Sequence, residues 1–259
     1  MTDAKGPINW RDKFLAFGIH FIVTLLLAAS AAALIFLLWF PDPFQTLVGG
    51  TNLFELVVSC DLALGPLISL VIFDRRKARW KLVMDYCIVG AVQLGALLYG
   101  VWIVAGTRPV YVAFNTDRLE VVAARDIEPV ELAAARKPEY AKLPFDGPHF
   151  VSIQIPPADQ NDAMFQALEG REEHQRPKFY APYETALPEI RKRAKTVAEL
   201  TAKFPAATQQ FEAAMRDVSI PSERVRWLPV HHREYFWTVL IDTETGMPVK
   251  YVPFDPYGD

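Results

Sequence analysis

The chain has 259 residues, a formal net charge of −3 and 51% hydrophobic residues. That charge lacks the basic surplus of a nucleic-acid binder, and two cysteines are too few for a disulfide-stapled scaffold. The hydrophobicity is unevenly spread, with three long apolar runs before residue 105 and a mixed polar segment after it.

The runs Phe14–Phe40, Leu53–Phe73 and Val83–Val104 match or exceed the ~20 apolar residues that carry a helix across ~30 Å of hydrocarbon, so the sequence predicts three transmembrane helices. Lys5, Arg11 and Lys13 precede the first, no basic residue falls in 41–52, and Arg75, Arg76, Lys77, Arg79 and Lys81 crowd the next connection. Basic loops stay cytoplasmic during insertion. The predicted layout is a cytoplasmic N-terminus (1–13), transmembrane helix 1 (14–40), a periplasmic loop (41–52), transmembrane helix 2 (53–73), a basic cytoplasmic loop (74–82), transmembrane helix 3 (83–104) and a periplasmic domain (105–259). Trp10, Trp39, Trp80 and Trp102 fall near the span ends, where amphipathic rings favour the headgroup zone. Ala28, Ser30 and Ala32 offer the small residues of a signal-peptide cleavage region, but the apolar run continues to Phe40, which favours an uncleaved anchor.

Ionisable groups inside spans are costly and mark candidate sites. Asp61 sits near the middle of the second run, and Gly65, one turn on, shares its face. Pro66 cannot donate to the carbonyl of Leu62 and predicts a bend. Counting rise per residue puts Gln93 of the third run near the level of Asp61, where its amide can bond the carboxyl and hold two helices together. The alternative is that Asp61 faces a groove and engages a polar group on a partner's helix. His20 lies about two turns into the first run and can bond a neighbouring helix. Small residues recur four apart at Ala28 and Ala32, Ala29 and Ala33, Ala91 and Gly95, and Ala96 and Gly100, a spacing that permits close helix packing. Cys60 and Cys87 fall at depths roughly 12 Å apart, too far for a disulfide.

After residue 105 the period changes. Alternation over Val110 to Phe114 and Leu119 to Ala123, around Asn115, Thr116 and Asp117, predicts a β-hairpin. A helix near Pro129 to Arg136, a strand over Phe150 to Ile155 and a helix over Asp159 to Glu169 follow. The proline-rich stretch Arg176 to Pro188 reads as irregular, and Glu189 to Lys203 and Ala206 to Asp217 read as helices. Arg191, Lys192, Arg193 and Lys195 read as a solvated face or a contact to anionic lipid. Strands over Arg224 to Val230, Glu234 to Asp242 and Met247 to Val252 complete an α+β domain whose sheet is predicted to be mostly antiparallel.

Chemistry is sparse. There is no GxSxG elbow, no HExxH and no phosphate loop, and the adjacent His231 and His232 would point to opposite faces of a strand. The residues call for no catalytic group, no metal and no cofactor. Two other readings stay open: a periplasmic sensory or ligand-binding module that signals through a partner, and an enzyme that modifies a partner protein or a lipid-linked sugar.

Four stretches together resemble the type IV pilin accessory proteins of the TfpX/TfpZ kind. They are Phe17, Gly18, Ile19, His20 and Phe21; Trp39 to Phe44, reading WFPDPF; Asp61 to Phe73, reading DLALGPLISLVIF; and Arg108, Pro109, Tyr111, Phe114, Asp117, Arg118 and Glu120. The resemblance covers about the first 125 residues. It implies a non-enzymatic, chaperone-like protein of the bacterial inner membrane that supports the stability or assembly of a type IV pilin. The implied partners are that pilin's transmembrane helix and head, membrane lipid and other pilus assembly proteins. Asp61, Gly65, Pro66, Gln93 and His20 are the residues expected to meet the partner.

Overall fold

The structure is a computed structural model that describes residues 10–48, 51–74 and 77–258, with the side chains of 51–54, 56 and 57 set aside. Lys5, Arg75 and Arg76, counted above among the basic flanks, lie outside the described residues. The chain divides into two compact units, 1–38 with 50–105 and 39–49 with 106–259.

The first unit is helical. α1 (Trp10–Ala33) continues as a π-helical turn (Leu34–Trp39), and after α2 (Phe44–Val48) come α3 (Thr51–Ile72) and α4 (Arg79–Thr107). Long runs of Leu, Ala, Ile and Phe favour the helix, and backbone groups bonded within the helix tolerate apolar surroundings. α1 and α3 run antiparallel in contact, the Lys13 ammonium donating to the Leu70 carbonyl at 2.9 Å. Side chains such as Leu37, Val71, Val92 and Trp102 are 80, 78, 68 and 69% exposed. A core helix of a water-soluble domain would bury them.

Among the described residues two helices, not three, are long and apolar enough to cross a membrane, Trp10–Trp39 and Arg79–Thr107. This corrects the three-span expectation. The described apolar stretch within α3, Val58–Ile72, is shorter than these two.

The second unit is α+β. Its elements are β1 (Pro109–Asn115), β2 (Arg118–Ala123), α5 (Pro129–Ala133), β3 (His149–Ile153), α6 (Gln160–Leu168), β4 (Tyr180–Pro182), α7 (Leu187–Arg193), α8 (Val197–Lys203), α9 (Thr208–Arg216), β5 (Val225–His232), β6 (Tyr235–Asp242) and β7 (Pro248–Val252), together with α2. Among the described residues the strands form one sheet in the order β4-β3-β1-β2-β5-β6-β7. The sheet is mixed, with four antiparallel pairings and two parallel ones, β3 with β1 and β5 with β2. The hairpins lie where turn chemistry puts them: Thr116 takes φ 59 between β1 and β2, and Gly246 takes φ 73 before β7.

One face of the sheet carries Val112, Phe114, Leu119, Val121, Leu228, Val230, Val239 and Ile241, and it packs against Ile190 of α7 and Phe44 and Leu47 of α2. Phe44 and Leu47 are 5 and 1% exposed. The short segment after α1 is therefore part of this domain's core. On the opposite face, α8 and α9 place Leu200 and Phe211 over Trp227 and Leu240.

Two sequence readings change here. The single helix expected over Glu189 to Lys203 breaks into α7 and α8, because the Lys195 backbone pairs with Trp227 and Thr196 caps α8 by accepting from the Glu199 amide at 3.2 Å. The irregular stretch after Arg176 contains β4, a three-residue edge strand against β3.

Candidate functional site

Polar residues in the helical unit recur at helical spacing. His20, Thr24 and Ala28 are four apart on α1, Asp61, Gly65 and Ser69 four apart on α3, and Tyr86, Gly90, Gln93 and Leu97 follow a 4-3-4 spacing on α4. Each set lies on one face of its helix.

His20 ties the three helices together. Its Nδ1 meets the Ser69 hydroxyl, and its Nε2 lies 2.8 Å from Gln93 Oε1. A neutral imidazole satisfies both contacts, donating from Nε2 to the amide oxygen and accepting the Ser69 proton at Nδ1. Ser69 is 1% exposed, so its hydroxyl needs this partner. Gln93 Nε2 is buried without a hydrogen-bond partner among the described residues and abuts Gly65, where an added Cβ would collide with it. The glycine admits the amide. Pro66 is buried beside it within α3.

Gln93 is thus paired with His20 rather than with Asp61. Asp61 is half-buried and makes no hydrogen bond or ion pair among the described residues. It faces a cavity of about 310 Å³ lined by α1, α3 and α4, among them Thr24, Leu27, Val58, Gln93 and Leu94. A second cavity of about 390 Å³ is lined by Ile19, Phe73 and Tyr86. His20, Val23 and Gly90 line both. Four of the five residues singled out from sequence, His20, Asp61, Gly65 and Gln93, meet at this place, with Pro66 next to them. Ser69 and Thr24 were missed, although their four-residue spacing from Gly65 and His20 carried the signal.

The second unit uses its polar groups for the fold. His231 Nδ1 lies 2.7 Å from a Glu120 carboxylate that is 5% exposed, and this hydrogen bond raises the His231 pKa above the ordinary histidine value against partial burial. Burial holds His232 below that value, with its Nδ1 2.8 Å from the Val121 carbonyl. Arg191 donates to the Thr243 and Glu244 carbonyls at 2.7 and 2.8 Å, Lys192 and Arg193 pair with Glu189, and the Lys195 ammonium lies over the Trp227 ring. Among the described residues no group of three or more His, Cys, Asp and Glu side chains is placed to hold a metal ion.

Residues 8–49, which span α1 and α2, match the family model described as fimbrial assembly protein FimB. Two proteins of Dichelobacter nodosus, the fimbrial assembly proteins of serogroup I and of serogroup E1, are 32% and 31% identical to this chain over 229 residues, 87% of this chain and 89% of each relative. A third from the same organism, the fimbrial assembly protein of serogroups C1 and C2, is 35% identical over 118 residues, 46% of this chain and 90% of its own length. No solved structure gives a significant match.

Proposed function

This chain belongs to the fimbrial assembly protein family, the type IV pilin accessory family, and from that premise we propose that it is a non-enzymatic inner-membrane protein that binds a type IV pilin and supports its stability or assembly. The relatives' names carry the assembly role. The membrane location is favoured by the outward apolar surfaces of α1 and α4. Arg11 and Lys13 at the start of α1 favour a cytoplasmic start for that helix, and on this reading the second unit lies in the periplasm beside the pilin head.

The observation that carries pilin binding is the Asp61 carboxyl, unpaired among the described residues and set on a cavity among helices whose outer faces are apolar. A carboxyl in hydrocarbon without a partner costs several kcal/mol, which a partner's hydrogen bond offsets. In this reading His20, Gly65, Pro66 and Gln93 shape the surface and Asp61 makes the contact. The test is pilin abundance, pilin co-purification and surface piliation in cells carrying Asp61→Asn or Asp61→Leu in place of the native chain. The reading expects all three to fall while the variant itself accumulates normally. Unchanged values in both variants contradict it.

A further inference from the structure

We propose that the cavity beside Asp61 takes a single hydrogen-bond-donating side chain from the partner's apolar helix, with the rest of that helix lying across the cavity mouth; this rests on the pilin-binding reading above. The size of the cavity sets the first limit. At about 310 Å³ the cavity has room for a side chain.

The lining sets the chemistry. His20 spends both ring nitrogens on Ser69 and Gln93, and Gln93 Nε2 is turned against Gly65. Asp61 keeps both carboxyl oxygens unused among the described residues. Ionised, the carboxyl only accepts; protonated, it still has an oxygen that accepts. A donor, whether a hydroxyl, an amide or an amine, is therefore the one kind of group that complements the carboxyl in both states, although the protonated form can also donate. Val23, Leu27, Val58, Leu94 and Leu97 make the remaining wall apolar, so the side chain carries its donor at the tip of an apolar stem. Gly90 lines the same cavity and has no atom within 4 Å of where its Cβ would stand, which keeps the approach open.

The experiment places a photocrosslinking residue at Leu94 of the full chain in native cells and maps the captured position on the partner helix. Asp61→Leu is expected to lower capture roughly threefold to tenfold, the range that one intramembrane hydrogen bond supplies. Asp61→Asn keeps an acceptor oxygen and is expected to lose less. Replacing the donor at or next to the crosslinked position by alanine should lower capture in the wild-type chain and add nothing in Asp61→Leu. A contact region without any donor side chain overturns the inference and leaves the pilin-binding reading standing, whereas equal capture in all three chains overturns the inference and the Asp61 contact of that reading together. Absence of any captured apolar helix overturns both.

Discussion

His20 is the residue on which the helical unit turns, because one imidazole bonds side chains from two other helices. Intramembrane hydrogen bonds contribute about 0.6 to 1.7 kcal/mol each, so His20→Ala should destabilise the chain by about 1 to 3 kcal/mol, read as a drop in thermal midpoint in detergent. Gly65→Ala should act on the same bond. The added methyl pushes the Gln93 amide away from α3 and off His20, so the double variant should lose less than the sum of the two single losses. Strict additivity would show that the two substitutions act separately. The pair His231 and Glu120 makes a pH prediction. The His231 pKa is raised in the folded state, so the pair's stabilisation is fully present below the unfolded value of about 6.5 and is lost as pH rises through the folded value. His232 works with the opposite sign, disfavouring the fold as pH falls below the ordinary histidine value. The gap in thermal midpoint between the wild type and His231→Gln should therefore be larger at pH 6 than at pH 9, and a gap that grows with pH would contradict the assignment.

Elements defined by local chemistry were legible in the sequence, and those defined by distant pairing were not. The polar run Asn115, Thr116 and Asp117 and the glycine at 246 announce their hairpins, the first by turn-forming side chains and the second because positive φ favours glycine. Nothing local to Phe150 or Val230 records that β3 runs parallel to β1 or that β5 runs parallel to β2, since those registers join segments far apart in the chain. The break between α7 and α8 is of the same kind, set by the Lys195 backbone meeting Trp227. The polar site was partly legible. Asp61, Gly65 and His20 stand out as polar or small residues in apolar runs, but depth counting paired Gln93 with the wrong neighbour because it fixes height and not rotation about the helix axis. α2 shows how a connection hides a core element: Phe44 and Leu47 are two buried side chains in a stretch with no basic residue and little periodicity. Leu47→Ala should cost about 2 to 5 kcal/mol, comparable with a substitution in a central strand. A cost below about 0.5 kcal/mol in thermal or denaturant unfolding, the range of an exposed loop position, would remove α2 from the core.

At the scale of the whole molecule, the chain passes three times between a helical unit with an outward apolar surface and an α+β domain, into and out of the segment that contains α2 and again where α4 leads into β1. A pilin offers two matching parts, an apolar helix and a head. The account's central claim is that the helix part meets the Asp61 side of α3. Site-specific photocrosslinking in native cells tests it most directly, with the probe at Leu64, three residues from Asp61, and a control at Val71, which is 78% exposed. Capture of a major pilin at Leu64 and not at Val71 is the predicted result. Equal capture at both positions, or capture at neither, would contradict it.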